Sequence, residues 1–141
     1  MRVLGLDLGS RVIGMAVSDE LGWTAQGLPS WKRRERAEED IAEIKRLVSL
    51  YKAECIVVGY PRNMDGSAGP AAQAAAEFAD RLQEELGIKV VLWDERMSTV
   101  AAERVLLEGD VSRRKRRQAV DKLAAVIILQ GYLDRLRHQK A

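Results

Sequence analysis

The chain has 141 residues, with 23 Lys and Arg against 21 Asp and Glu, a net charge of +2, and 47% of it is apolar. That gives room for one domain with a buried core, while its charge is too balanced to announce a nucleic-acid binder and too dense, at 31%, for a membrane protein. One cysteine, Cys55, and one histidine, His138, exclude an internal disulfide, a Cys-based zinc cluster and a Ser-His-Asp triad, which leaves carboxylates as the leading candidates for chemistry.

Residues 2–7 predict a short strand ending in Asp7, not the apolar core of a signal peptide. Gly9-Ser10 marks a turn, and residues 12–18 predict the second strand of a hairpin. Residues 24–31 predict a third strand, weakened by Gly27 and Pro29. After the charged run Lys32–Arg36, the spacing of Ile41, Ile44, Leu47, Val48 and Tyr51 predicts an amphipathic helix. The apolar run Cys55–Gly59 reads as a strand buried on both faces, as in a parallel sheet.

A loop rich in Gly and Pro follows, and Pro70 then opens a helix whose face is Ala75, Ala79, Leu82 and Leu86, with Gly87 ending it. Lys89–Trp93 reads as another buried strand, ending at Asp94-Glu95. Ser98 or Thr99 is placed to cap a helix that stops near Gly109. Ser112–Arg117 reads as a basic loop, and a last helix spans about 118–136, with Val120, Ala124, Ile127 and Ile128 on one side. This order of elements predicts an α/β fold over residues 1–141: one mixed sheet of three antiparallel strands then two parallel ones, flanked by helices.

Such a topology gathers acids at one sheet edge. Asp7 ends the first strand, Asp94 and Glu95 end the last, and Asp121 opens the final helix. Hard oxygen ligands suit Mg²⁺ or Mn²⁺, and two such ions about 3.5–4 Å apart activate water against a phosphodiester. Read singly, each acid is equally an ordinary strand end or first-turn residue. Arg113, Arg114, Lys115, Arg116 and Arg117 form the densest charge block, read as a phosphate-binding segment or as a solvated loop. Lys32–Arg36 beside Trp31 extends that footprint or is an exposed helix start. The loop holding Asn63, Asp65 and Gly66 reads as a rim over substrate or as a long connection. No P-loop or dinucleotide fingerprint occurs.

Several stretches, taken together and in register, resemble the YqgF family, also called RuvX. They are Gly5-Leu6-Asp7-Leu8-Gly9, Val58–Gly66, Gly69-Pro70, Asp94-Glu95-Arg96-Met97-Ser98-Thr99 and Val120–Ala125. The resemblance implies a ribonuclease H-like fold related to the resolvase RuvC. It implies a cytoplasmic bacterial nuclease that hydrolyses phosphodiesters with Mg²⁺ or Mn²⁺, in maturing the 5′ end of small-subunit ribosomal RNA or in resolving Holliday junctions. By position, Asp7 matches the acid expected to bridge metals, Glu95 with Asp94 beside it matches the acidic motif of the last strand, and Asp121 matches the acid of the C-terminal helix. Arg96 and Arg113–Arg117 are then expected on backbone phosphates. One departure stands out: RuvC-type enzymes place an acid at the end of the fourth strand, where this chain has Val58-Gly59-Tyr60-Pro61. Adjacent strand residues face opposite ways, so one of Asp94 and Glu95 is expected as a ligand, with Glu95 favoured.

Two other functions compete with the nuclease. A binding module without catalysis explains the basic block but needs no converging acids. An actin-like ATPase, suggested by Asp7-Leu8-Gly9-Ser10, requires two lobes, and this length supplies one. A junction resolvase further implies a symmetric homodimer. The net charge conceals segregation: outside Arg113–Arg117 the chain holds 18 basic against 21 acidic residues.

Overall fold

The computed structural model describes residues 1–97 and 113–140, with the backbone course alone for 113–121 and for Lys140. Strands β1 (Arg2–Leu8), β2 (Val12–Ser18) and β3 (Ala25–Lys32) come first. Helix α1 (Ala37–Tyr51), strand β4 (Ala53–Tyr60), helix α2 (Pro70–Leu86) and strand β5 (Lys89–Asp94) alternate after them. A single 3₁₀ turn, Glu95–Met97, follows β5, and α3 runs from Arg113 to Lys140. The helix expected from Ser98 or Thr99 to Gly109 lies outside the described residues.

The sheet order is β3-β2-β1-β4-β5. β1 pairs antiparallel with β2, and β2 with β3, while β4 lies parallel to both β1 and β5. The tight β1–β2 turn is closed by Gly9 N–H donating to Val12 O at 2.9 Å. A Cβ on Gly9 would stand 2.6 Å from that oxygen, so the turn admits glycine alone.

Alternation along β1 and β4 sends side chains to two separate cores. Leu4, Leu6, Ile56 and Val58 pack under α1 and α2, against Ile41, Ile44, Phe78 and Leu82. Val3, Cys55 and Val57 pack under α3, against Ala124, Ala125, Ile128, Leu129 and Leu133. Each fully buried aliphatic side chain contributes about 1.5–3 kcal/mol, so helix seating follows directly from strand parity.

Two expectations are corrected. β5 is an edge strand, so Lys89 and Leu92 are exposed, and of its residues only Trp93 is buried. Residues 113–117 belong to the helix, not to a loop: α3 begins at Arg113 and runs four residues past the expected end. A run of Arg and Lys carries good helix propensity, which outweighs the absence of any apolar periodicity there.

Asp40 anchors the β3–α1 corner and is fully buried. Its carboxylate accepts from Trp31 Nε1 at 2.9 Å, Arg33 Nε at 3.2 Å and the Arg34 backbone N–H at 2.9 Å. Arg33 also donates to Gly9 O at 3.0 Å and lies over the Phe78 ring. Of the Lys32–Arg36 segment and the adjacent Trp31, read either as a nucleic-acid footprint or as an exposed helix start, Arg33 and Trp31 are thus tied to the fold. Among the described residues, no helix is long and apolar enough to cross a membrane.

Candidate nuclease site at the sheet edge

Val3 and Gly5 face α3, so Asp7, two residues on, does too. Asp7 is 8% exposed, and it pairs in the ladder with Gly14 of β2. On its other side, one step beyond the last β1–β4 pair, Leu6–Val58, stands Gly59. Gly59 pairs with Trp93 of β5, whose ring is buried under α3 against Gly131. Glu95 follows β5 and returns to this same face. Its Oε2 lies 3.3 Å and its Cδ 3.4 Å from the point a Cβ on Gly59 would occupy. The Asp7 and Glu95 carboxylates therefore flank Gly59 on one face.

Helix α3 runs antiparallel to β1 over this face. Leu133 lies by Gly22 and the Met1 carbonyl, while Leu129 and Ala125 lie over Gly5. From Ala125 the backbone reaches residue 121 one turn further on, about 5.4 Å, in the direction β1 takes from Gly5 to Asp7, about 6.7 Å. Residue 121 thus comes level with Asp7; the side chain of Asp121 lies outside the described residues, as do those of Arg113–Arg117.

Asp94 faces the other way, in register with Tyr60. Its Oδ2 accepts from Arg96 Nη2 at 2.8 Å and its Oδ1 from the Arg96 backbone N–H at 3.0 Å, and Arg62 Nη1 lies 3.6 Å from Oδ2. The hydrogen bond from the Arg96 guanidinium, above all, holds the Asp94 carboxyl below the usual Asp range. Sequence reading expected Arg96 as a phosphate contact but did not single out Arg62, which sits beside a turn with no periodicity to mark it.

The rim loop is closed on itself. Asn63 N–H donates to Ser67 O at 2.9 Å, Gly66 N–H to Asn63 O at 2.9 Å, and Asp65 Oδ1 accepts from Ser67 N–H at 2.8 Å. The hydrogen bond from the Ser67 hydroxyl, at 2.6 Å, and then that from its backbone N–H hold the Asp65 carboxyl below its ordinary value.

Residues 1–135 match the RuvX family, described as Holliday junction resolvase. The chain belongs to the RuvX family. A "Putative pre-16S rRNA nuclease" of Moorella thermoacetica is 59% identical over 136 residues, covering 96% of each chain. The protein of that name from Geobacillus is 54% identical over 135 residues, covering 95% of this chain and 98% of the relative. Among solved structures, Thermus thermophilus RuvC in complex with a Holliday junction superposes with a TM-score of 0.61 at 18% identity, covering 100% of this chain and 98% of that one. The fowlpox virus Holliday junction resolvase superposes with a TM-score of 0.56 at 15% identity, covering 96% and 99%. These likenesses establish the ribonuclease H-like fold.

For a RuvX protein, the fourth-strand position without an acid has a geometric counterpart. At Gly59, the penultimate residue of β4, the carboxylate of Glu95 reaches over from just past β5 into the space that glycine leaves open. Among the described residues, no group of three metal-type side chains comes together; Asp7 and Glu95 supply two, and the position of residue 121 is where a third would enter. All three groups are carboxylates, a hard oxygen donor set that fits Mg²⁺ or Mn²⁺ and not a soft metal.

Proposed function

We propose that this chain is a divalent-metal-dependent nuclease that hydrolyses phosphodiester bonds of structured RNA, in maturing the 5′ end of pre-16S ribosomal RNA in the cytoplasm. The observation that carries the reading is the placement of Glu95 Oε2 by Gly59, on the α3 face of the sheet that the buried Asp7 shares. The relatives named for pre-16S rRNA support the substrate class.

Asp7, Glu95 and Asp121 are the residues that would hold Mg²⁺ or Mn²⁺ here. When bound, the metal supplies positive charge that offsets the charge of the phosphodiester and of its attacking and leaving oxygens. Asp7 and Glu95 orient that charge from a rigid strand end, so little reorganisation is needed during reaction. Water gives up a proton to bulk solvent as its oxygen bonds to phosphorus, the P–O bond opposite it breaks, and the leaving oxygen takes up a proton from solvent. Arg96 and the cations of Arg113–Arg117 hold the nucleic-acid backbone.

Resolution of branched DNA is the second reading, favoured by the description of the family. It requires two copies of the site on a two-fold axis, hence a homodimer. One assay separates the readings. Wild type and Asp7→Asn are incubated with Mg²⁺ or Mn²⁺ and with four-way junction DNA, single-stranded RNA or precursor ribosomal RNA. Metal-dependent cleavage of precursor RNA by wild type, lost in Asp7→Asn and with chelator, is expected. Full activity in Asp7→Asn overturns the site, and paired symmetric cuts in junction DNA alone transfer the function to resolution. Binding that persists with chelator and never leads to cleavage makes the chain a binding module.

A further inference from the structure

We infer that Arg62 and Arg96, paired on the Asp94 carboxylate, form a phosphodiester-binding subsite on the rim of the sheet edge, with Asp94 as its positioning residue. The inference rests on the nucleic-acid reading above and adds a second contact surface, on the face of β5 opposite Glu95.

Three observations converge. First, a single carboxylate organises two guanidiniums. Arg96 Nε lies 3.2 Å from both oxygens of Asp94 and its Nη2 2.8 Å from Oδ2, while Arg62 Nη1 approaches the same Oδ2 at 3.6 Å. Second, each cation has a further neighbour outside the pair. Arg62 lies over the Tyr60 ring, 5.3 Å from its centroid, and Arg96 Nη1 lies 3.4 Å from where a Cβ on Gly66 would stand. Third, the cluster is open where its partner is not. The side chains of Arg62 and Arg96 are 41% and 32% exposed, against 20% for Asp94.

A guanidinium has five N–H donors in a planar fork that matches two phosphate oxygens. Arg96 uses Nε and Nη2 on Asp94, and among the described residues no hydrogen bond uses its Nη1 or the guanidinium of Arg62. Asp65, the other acid on this rim, accepts from Ser67 at 2.6 and 2.8 Å and also acts on the charge of Arg96, less than Asp94 does. Both guanidiniums are therefore partly open to solvent at the edge where the strands end, which is where a backbone passing the Asp7–Glu95 face would run. A surface ion pair of this kind adds little stability; its consequence is preorganisation of the two forks.

The test measures binding separately from cleavage, with a fluorescent four-way junction and a structured RNA, in chelator, over a salt series. Arg62→Ala is expected to bind either probe roughly tenfold more weakly, with a slope of log affinity against log salt shallower by about one unit. Arg62→Lys, which keeps the charge, restores the slope. Asp94→Asn is expected to raise the dissociation constant and KM and leave kcat within about threefold, as loss of binding without loss of transition-state contacts does. Glu95→Gln does the reverse, losing kcat with binding retained. Arg62→Ala with unchanged affinity and slope overturns the subsite, as does an Asp94→Asn protein whose loss is all in kcat. If wild type binds, never cleaves, and still loses a slope unit in Arg62→Ala, the subsite stands and the nuclease reading fails. Wild type that binds neither probe overturns both.

Discussion

The Oε2 atom of Glu95 stands 3.3 Å from the point a Cβ on Gly59 would occupy, so the end of β5 fills the space left by the absent side chain at the end of β4. Two adjacent strands thus share one carboxylate position. This requires a residue with no side chain on the first strand and an acid just past the end of the second. It also gives neighbouring acids different surroundings: Glu95 turns to the α3 face that Asp7 shares, and Asp94 to the guanidiniums of Arg62 and Arg96.

Gly59→Ala tests this sharing. The new methyl would meet Ile128 Cδ1 at 2.6 Å as well as the Glu95 carboxylate. Ile128 is fully buried, but its Cδ1 is the far end of a side chain and turns aside for about 0.5–1.5 kcal/mol. The displaced carboxylate is expected to lower the cleavage rate by roughly ten- to a hundredfold. Circular dichroism should be unchanged, thermal unfolding should drop by several degrees, and kcat is the number that decides.

Asp40→Ala removes the acceptor of three hydrogen bonds at the β3–α1 corner and strands the Arg33 guanidinium beside Phe78. Breaking such a buried pair costs about 3–5 kcal/mol. Asp40→Asn retains an oxygen for Trp31 Nε1 and the Arg34 N–H, and so is expected to cost less. Urea unfolding of the two variants measures both differences.

The α3 core makes the fold sensitive to alkali. Burial, chiefly, and the nearby Cys55 thiol push the Tyr132 phenol up to about 12. Burial likewise raises the Cys55 thiol, whose Sγ lies 4.0 Å from the Tyr132 hydroxyl. A phenol titrating higher in the folded chain than in the unfolded one, about 10, favours folding fully below pH 10. That contribution is lost as pH rises through about 12. Tyr132→Phe is therefore expected to flatten the fall in unfolding free energy across that window, read from denaturant titrations at successive pH values.

Much of this was legible in the chain itself. Strand parity along Val3–Asp7 and Cys55–Gly59, with helical spacing at Ile41–Tyr51, carries the layer order, because each apolar residue has one face available. The acids Asp7 and Glu95 were legible as strand-end residues. Three things were not. Asp40 reads as an ordinary first-turn acid, since its partners, Trp31 of β3 and Arg33 and Arg34 just after it, are brought to it by the turn of the chain into α1. The exposure of β5 depends on which strand ends the sheet, a matter of neighbours and not of its own apolar residues. The start of α3 at Arg113 was hidden because a charged run carries no periodicity, although its residues favour a helix.

Gly5→Ala addresses Asp121, the third acid of the proposed site, through the backbone. A Cβ on Gly5 would stand 2.8 Å from Leu129 Cβ and 3.4 Å from the Ala125 carbonyl oxygen. Unlike Ile128 Cδ1 above Gly59, neither atom can be rotated away; both move only with the helix itself. The methyl must lift α3 from β1, and the helix carries residue 121 with it. Gly5→Ala is therefore expected to lose both stability, by about 1–3 kcal/mol, and cleavage. Gly59→Ala is expected to lose mainly cleavage. Paired measurements of unfolding free energy and kcat on the two variants separate the cases, and a Gly5→Ala protein with wild-type stability would show that α3 is not seated against β1 as the contact with Leu129 requires.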